Sequence, residues 1–214
     1  MKKKYYITTP IYYPSAKPHM GHAYSSISAD FIARYKRLEG YDVKFVTGTD
    51  EHGQKIQKSA DERKLLPDVF CNEISKVFLD LTKTLNLSNT DFIRTTEERH
   101  HKTVQNLWKI LEEKKFIYLS KYTGWYSVSD EAFYAESEII EKDKIKLCEA
   151  TGSPVEWVEE ESYFFKLSKF QNLLIKHYED NPDFIQPPSR RNEVMSFVKG
   201  GLKDLSISRN SFKW

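Results

Sequence analysis

The chain has 214 residues, 39% hydrophobic and 30% charged, a composition typical of a folded soluble protein and not of a disordered one. Its formal net charge of +2 neither favours nor excludes a nucleic-acid partner, because a basic face can exist within a neutral total. With only Cys71 and Cys148, no apolar run near the ~20 residues that cross a bilayer and no secretory signal, the sequence predicts a cytoplasmic protein without a disulfide framework or a membrane partner.

The first elements alternate between strand and helix. Residues 4–9 predict a strand rich in Tyr, Ile and Thr, and the three prolines that follow exclude a helix there. A helix begins near Gly21 and ends at Gly40, and residues 41–47 predict a second strand. The apolar stripe of this helix consists of Tyr24, Ile27, Phe31, Tyr35 and Leu38.

Three helices are predicted next. One covers residues 54–64, and a second opens with Pro67 in its first turn. A third begins at Thr95, which forms a capping box with Glu98. Its buried stripe is expected to contain Val104, Leu107, Trp108 and Leu111. The alternation of strands and helices predicts an α/β fold with a parallel sheet and right-handed crossovers.

The character of the sequence changes near Phe116. Residues 116–139 are rich in Tyr, Trp and Ser and predict a β meander, and residues 156–168 predict another strand. Helical patterns return over 169–179 and 189–199. We therefore predict an α/β domain over residues 1–115 and a mixed α+β region over residues 116–214.

Two polar loops follow the first two predicted strands. In parallel sheets, ligands bind beyond the carboxyl ends of the strands, where both loops are expected. The first loop carries His19 and His22, one helical turn apart around Gly21, at a helix start whose free N–H groups and dipole favour phosphate. Gly21 allows a ligand to approach the backbone, and the imidazoles can donate to phosphate oxygens. This pattern favours binding of a polyphosphate.

The second loop contains Asp50, whose carboxylate is suited to a substrate ammonium group, while Tyr13 of the first loop is suited to an apolar side chain. Other interpretations remain open from the residues alone. The two histidines are also typical of a solvated or a capping feature, Tyr13 of packing, and Asp50 of a capping turn. A metal site formed by His19, His22, Asp50 and His52 is a further alternative.

These loops resemble those of the class I aminoacyl-tRNA synthetases. "HMGH", at residues 19–22, is similar to the HIGH signature of that class. The similarity to the methionyl-tRNA synthetases is continuous over residues 8–60, includes "TGTDEHG", and extends through "SRRNEV" and "LKDLSISR". The resemblance implies the first half of a Rossmann-like parallel sheet, with residues 116–214 mostly a connective-peptide insert.

The resemblance also implies a reaction. Methionine and ATP, accompanied by Mg²⁺, give methionyl-adenylate, and the methionyl group then passes to tRNA(Met). His19, Met20, Gly21 and His22 would bind ATP, with the two histidines catalytic. Ile11, through its backbone, and Asp50 would hold the methionine ammonium group, and Tyr13 would cover its side chain. Arg209 matches an arginine of the active centre in this family.

The chain departs from the family in two ways. Where many relatives carry paired Cys-x-x-Cys zinc knuckles, it reads "YSVSD" at residues 126–130, so we expect no zinc and an insert held by packing of Trp125, Tyr126, Phe133 and Tyr134. The KMSKS loop and the anticodon-binding domain do not occur within the 214 residues. We therefore interpret the chain as an amino-terminal part of a longer enzyme, inactive alone, with a non-catalytic amino-acid or tRNA binding module as the alternative.

Overall fold

The structure, a computed structural model, describes residues 2–130, 132–142 and 145–208. By its contacts the chain divides into two compact units, one up to Gln105 and the other from Asn106 onward. None of the described helices is long and apolar enough to span a bilayer. The sequence predicted that an inserted region begins near residue 115. This stays a prediction, because a division into two compact units does not show that the second unit is an insertion.

The first unit contains a parallel sheet of three strands in the order β1-β2-β3, which confirms the predicted α/β fold. The strands are β1 (Lys4–Thr8), β2 (Asp42–Thr49) and β3 (Asp91–Arg94). Strand β3 was not predicted from the sequence. This strand has only four residues, two of them charged, and carries neither alternation nor an apolar run.

Helices connect the strands in the predicted order. Helix α1 (Met20–Leu38) joins β1 to β2, whereas α2 (Gln54–Glu62) and α3 (Pro67–Thr84) join β2 to β3. Pro67 is in the first turn of α3, as predicted, where its missing N–H costs no helical hydrogen bond. The carboxyl ends of the strands therefore lead into the loops that carry the predicted site residues.

Helix α1 packs on the sheet through small residues and not through its apolar stripe. Ala29 and Ala33 form a buried cluster with Val43 and Phe45 of β2. The predicted stripe lies on the exposed side, where Phe31 is 72% exposed and Leu38 is 87% exposed. Small side chains allow a helix axis to approach a sheet closely, so the alanine face is the one that is buried.

Helix α4 (Glu98–Glu113) begins later than predicted. The capping box of Thr95 with Glu98 is wrong, since the backbone N–H groups of His100 and His101 donate to the carbonyl of Glu97 instead. The predicted buried stripe is wrong as well. All of α4 is described and none of its residues is buried.

The second unit has an antiparallel sheet in the order β5-β4-β8-β9 and a separate antiparallel pair, β6 with β7. The strands are β4 (Ile117–Ser127), β5 (Ala132–Tyr134), β6 (Ile139–Lys142), β7 (Ile145–Cys148), β8 (Glu156–Phe165) and β9 (Leu205–Ser206). Short 3-10 helices cover Glu136–Glu138 and Leu167–Phe170, and α5 (Gln171–Asp180) and α6 (Pro188–Lys199) lie close to the predicted bounds. The mixed α+β character matches the sequence prediction.

Aromatic and polar contacts hold the turns of this second unit. Tyr126 packs against Phe133 with ring centroids 4.6 Å apart, and Trp125 contacts Trp157 edge to face at 5.2 Å. Around them, Asp130 accepts hydrogen bonds from the hydroxyls of Tyr134, Thr151 and Ser153. These contacts include all four aromatic residues expected to stabilise the insert.

Candidate active site

The two predicted loops are joined to each other at the carboxyl ends of β1 and β2. The backbone N–H of Tyr12 donates to the carbonyl of Gly48 at 2.9 Å, and the N–H of Asp50 donates to the carbonyl of Tyr12 at 2.9 Å. Nearer the strands, the hydroxyls of Thr9 and Thr47 are 2.6 Å apart. The first loop therefore continues alongside β2 and meets the second loop directly.

Tyr12 connects the histidine side of the site to the aspartate side. Its buried ring contacts His22 edge to face at 4.8 Å and stacks on Phe78 at 5.7 Å. Its hydroxyl donates to the carbonyl of His22 at 3.2 Å and lies 2.7 Å from the hydroxyl of Ser26. No role was predicted for Tyr12. Because Tyr12 and Tyr13 are adjacent residues of the same type, only the folded structure shows which of the two is buried.

His19 and His22 cap the first turn of α1 reciprocally. The Nδ1 atom of His19 accepts the N–H of Gly21 at 3.1 Å, and the Nδ1 atom of His22 accepts the N–H of His19 at 3.0 Å. The ring centroids lie 3.9 Å apart. The structure thus brings the two imidazoles together on one side of the helix start, and the cap and the predicted site are the same residues.

The hydrogen-bond pattern assigns a tautomer to both rings. Because each Nδ1 atom accepts a backbone N–H, the neutral imidazole carries its proton on Nε2, which can donate to a ligand. Burial, followed by the charge of His19, lowers the pKa of His22 below its ordinary value of 6.5. The neutral form of His22, which donates through Nε2–H, is therefore the main form near pH 7.

Gly21 is required by the His19 cap itself. A Cβ atom at this position would lie 2.9 Å from Cε1 and 3.1 Å from Nδ1 of the His19 ring, closer than such contacts normally permit. Any larger residue would push the imidazole away. Met20, between them, is the first residue of α1 and is exposed.

The predicted methionine-binding residues lie on both loops. Asp50 is half-buried at the end of β2, and its backbone is fixed to Tyr12. Tyr13 is half-buried, and its hydroxyl donates to the carbonyl of His52 at 3.0 Å. Ile11 is partly exposed just before Tyr12. The structure therefore places all three within the joined loops.

Glu51, which the sequence analysis treated only as part of the loop, has its side chain completely buried beside Arg94. The Nε and Nη2 atoms of Arg94 donate to its two carboxylate oxygens at 2.6 and 2.9 Å. Burial alone would raise the pKa of Glu51, but hydrogen bonds from Arg94, Ser75, Thr96 and Thr49 hold it below its ordinary value. In the sequence, Arg94 stands four residues before the start of α4, and no local pattern links it to Glu51.

His52, the next residue of the second loop, lies beside Thr95 and His101. Its Nδ1 atom is 3.1 Å from the hydroxyl of Thr95, and its ring centroid is 5.9 Å from that of His101. Burial and then the charge of His101 lower the pKa of His52. His101 itself is half-buried next to this loop.

The metal-site alternative receives no support. Among the residues that the structure describes, no three His, Cys, Asp or Glu side chains are placed to hold a metal ion, and this includes His19, His22, Asp50 and His52. Arg209, the last predicted site residue, lies outside the described residues.

A cavity of about 660 Å³ opens in the second unit and contains none of the predicted site residues. Its walls come from β4, β5, β8, β9 and the adjoining turns, and include Trp125, Trp157, Glu136 and Lys203. The joined loops belong to the first unit instead.

Comparison with known proteins identifies close relatives of this sequence. The family described as "tRNA synthetases class I (M)" matches residues 5–214. The methionine--tRNA ligase of Rickettsia prowazekii is 58% identical over all 214 residues, and that of Thermotoga maritima is 51% identical over 211 residues. A Mycobacterium tuberculosis methionyl-tRNA synthetase solved with methionyl-adenylate superimposes with a TM-score of 0.94 at 51% identity, covering 99% of this chain and 42% of that one. The chain spans 41% of the length of the Rickettsia relative and 34% of the Thermotoga relative.

Proposed function

Since the chain belongs to the methionine family of class I tRNA synthetases, we propose that the protein containing it activates methionine with ATP and transfers the product to tRNA(Met). The first step joins the methionine carboxylate to the α-phosphate of ATP and releases pyrophosphate. The second step passes the methionyl group to the 3′ end of the tRNA. ATP enters as its Mg²⁺ complex, which is a substrate.

The observation that carries this proposal is the joining of the two loops through Tyr12. Its ring and hydroxyl contact His22, and its backbone binds Asp50 at 2.9 Å. A phosphate-binding helix start and a carboxylate therefore lie at one edge of the sheet, and activation of an amino acid requires both. Methionyl-adenylate, the ligand with which the Mycobacterium tuberculosis relative was solved, combines the same two halves.

On the phosphate side, we assign catalysis to His19 and His22. Both Nε2–H groups can donate to phosphate oxygens, and the backbone of Met20 and Gly21 lies at the start of α1, where the helix dipole adds to the positive potential. Negative charge shifts onto the leaving pyrophosphate as the reaction proceeds. Donors fixed in advance by the reciprocal cap stabilise that charge without reorganisation.

On the amino-acid side, we assign recognition to Asp50, Ile11 and Tyr13. The Asp50 carboxylate and the Ile11 carbonyl bind the ammonium group, and the Tyr13 ring covers the thioether side chain. Tyr13 is held for this by its hydrogen bond to the carbonyl of His52. A half-buried carboxylate makes a strong charge-assisted bond with an ammonium group, because little water competes.

The second half of the chain is assigned by resemblance. Residues 116–214 would form the connective-peptide insert and return toward the catalytic domain, with Arg209 near the active centre. All the relatives described above are named as ligases or synthetases, so a non-catalytic binding module is not favoured.

The test is amino-acid-dependent exchange of pyrophosphate with ATP, measured on the complete protein that contains these residues. We expect methionine, and none of the other nineteen amino acids at equal concentration, to drive rapid exchange. Exchange driven by a different amino acid, or none at all with methionine, would overturn the assignment. Charging of tRNA(Met) in the same preparation tests the second step.

A further inference from the structure

The carboxylate of Glu51 is surrounded by hydrogen-bond donors on every side. Its Oε1 atom accepts the hydroxyl of Thr49 at 2.7 Å, the Nε of Arg94 at 2.6 Å and the hydroxyl of Ser75. Its Oε2 atom accepts the Nη2 of Arg94 at 2.9 Å and the hydroxyl of Thr96 at 2.6 Å. The side chain is completely buried. A buried charge with all its bonds satisfied fixes a position more firmly than an apolar residue could.

These donors come from separate parts of the first unit. Thr49 ends β2, Ser75 is in α3, Arg94 ends β3, and Thr96 lies in the turn before α4. Burying a charged pair stabilises a protein little, because desolvation offsets the attraction, so stability alone does not explain the arrangement. The cluster instead connects one loop residue to two strands, one helix and the turn before α4.

The backbone of this loop is held as tightly as the Glu51 side chain. The N–H of Glu51 donates to the hydroxyl of Thr95 at 2.9 Å, and the backbone carbonyl of Glu51 accepts the thiol of Cys71 at 3.5 Å. On either side, the N–H of Asp50 and the carbonyl of His52 are bonded to the first loop. Asp50 is thus joined by a peptide bond to the most constrained residue of the site.

We propose that the Glu51–Arg94 pair is a positioning device for the methionine site, which fixes the loop so that the Asp50 carboxylate meets the substrate ammonium group. This inference rests on the proposed function. Glu51 and Arg94 do not contact the substrate themselves and act through Asp50. Loss of either partner should therefore weaken methionine binding and leave the chemical step nearly intact.

The chain offers a matched control on the same strand. Asp91, at the start of β3, accepts two hydrogen bonds from Arg99 at 2.8 and 3.0 Å, so it is also a bidentate arginine–carboxylate pair. The carboxylate of Asp91 binds Arg99, whereas that of Glu51 binds Arg94, Ser75, Thr96 and Thr49, so the two carboxylates have different partners. Asp91→Asn therefore removes an arginine–carboxylate pair of the same bidentate geometry, though a more exposed one, from the same unit and outside the loop.

The experiment measures methionine-dependent pyrophosphate exchange in the complete protein for Glu51→Gln, Arg94→Lys and Asp91→Asn. Glu51→Gln and Arg94→Lys should raise the KM for methionine about tenfold or more, with kcat changed less than about threefold. Asp91→Asn should leave both constants as in the wild type. Arg94→Lys keeps the charge but not the paired donors, and it remains informative if Glu51→Gln does not fold.

A double variant separates positioning from a general loss of structure. If Glu51 acts through Asp50, adding Glu51→Gln to Asp50→Asn should raise the KM for methionine less than about twofold further. Additive increases, or a KM for Glu51→Gln equal to that of Asp91→Asn, would overturn the proposal while leaving the proposed function standing if Asp50→Asn alone raises the KM. A wild-type protein without methionine-dependent exchange would overturn both.

Discussion

At the residue scale, the site is built from side chains that serve structure and chemistry together. His19 and His22 close the first turn of α1 through their Nδ1 atoms, which leaves the two Nε2–H groups to a ligand. The sequence predicted that both imidazoles lie on one side of the helix, since they are one turn apart. A capping role of the two histidines was left open as an alternative, and the structure shows it, with each Nδ1 atom accepting one backbone N–H.

Gly21→Ala tests whether the orientation of His19 matters to catalysis. The added Cβ atom would lie 2.9 Å from the imidazole and displace it, so adenylate formation should slow by about 100-fold. Alanine is a better helix former than glycine by about 0.5–1 kcal/mol, so the fold should not be weakened. Rapid-quench measurement of adenylate formation, with Ser28→Ala on the exposed face as control, checks this. An unchanged rate would remove His19 from the reaction.

The pH dependence of stability tests the buried carboxylate. The pKa of Glu51 is lowered in the folded protein, so the unfolded chain binds more protons at acidic pH. Its contribution is therefore complete above the ordinary pKa of 4.5 and is lost as the pH falls through the folded value. Near pH 7, Glu51→Gln should lower the free energy of unfolding by about 3 kcal/mol.

Calorimetry between pH 3 and pH 7 measures this effect, and the wild-type and Glu51→Gln melting temperatures should converge below pH 4.5. The exposed Glu98→Gln serves as the control and should follow the wild type throughout. Curves for Glu51→Gln that stay parallel to the wild type at every pH would show that the carboxylate is not held as described.

At the element scale, local periodicity predicted that helices exist, but it did not predict helix starts that depend on tertiary contacts. Helices α2, α5 and α6 lie close to their predicted bounds, and α3 opens with Pro67 in its first turn as predicted. Thr95 looked like a cap, but in the fold its hydroxyl accepts the N–H of Glu51, and α4 starts three residues later. Such competition between a local and a distant partner leaves no trace in the sequence.

The apolar stripe of α1 is a second case in which periodicity alone was not sufficient. Periodicity found the apolar residues, but could not tell which face of the helix meets the sheet. Exposed apolar side chains such as Phe31 and Leu38 favour self-association. In a polypeptide of these 214 residues, the double variant Phe31→Gln, Leu38→Gln should associate less in sedimentation velocity without a lower melting temperature. Ala33→Gln, on the buried face, should instead destabilise the fold.

At the scale of the whole molecule, the resemblance supplied what residue patterns could not. Composition and periodicity led to an α/β unit followed by a mixed region, whereas the reaction came from the similarity of "HMGH" and "TGTDEHG" to one family. The relatives are more than twice as long as the chain. We therefore expect a polypeptide of only these 214 residues to show no methionine-dependent pyrophosphate exchange.

The physical reason is that stabilisation of the transition state depends on groups that act as a unit, so part of a phosphate site retains little of its rate. Assay of the 214-residue polypeptide beside the complete protein measures this. Exchange in the polypeptide within about tenfold of the complete protein would mean that His19 and His22 need no further phosphate-binding residues.

The most direct test of the account compares two conservative variants of the complete protein, His22→Gln and Asp50→Asn, in methionine-dependent pyrophosphate exchange. Glutamine preserves the hydrogen bond of the capping box while removing the imidazole. The account predicts that His22→Gln lowers kcat about 100-fold at an almost unchanged KM for methionine, and that Asp50→Asn raises this KM about tenfold or more with little loss of kcat. If both variants alter the same constant to the same extent, the division of the joined loops into a phosphate side and an amino-acid side is contradicted.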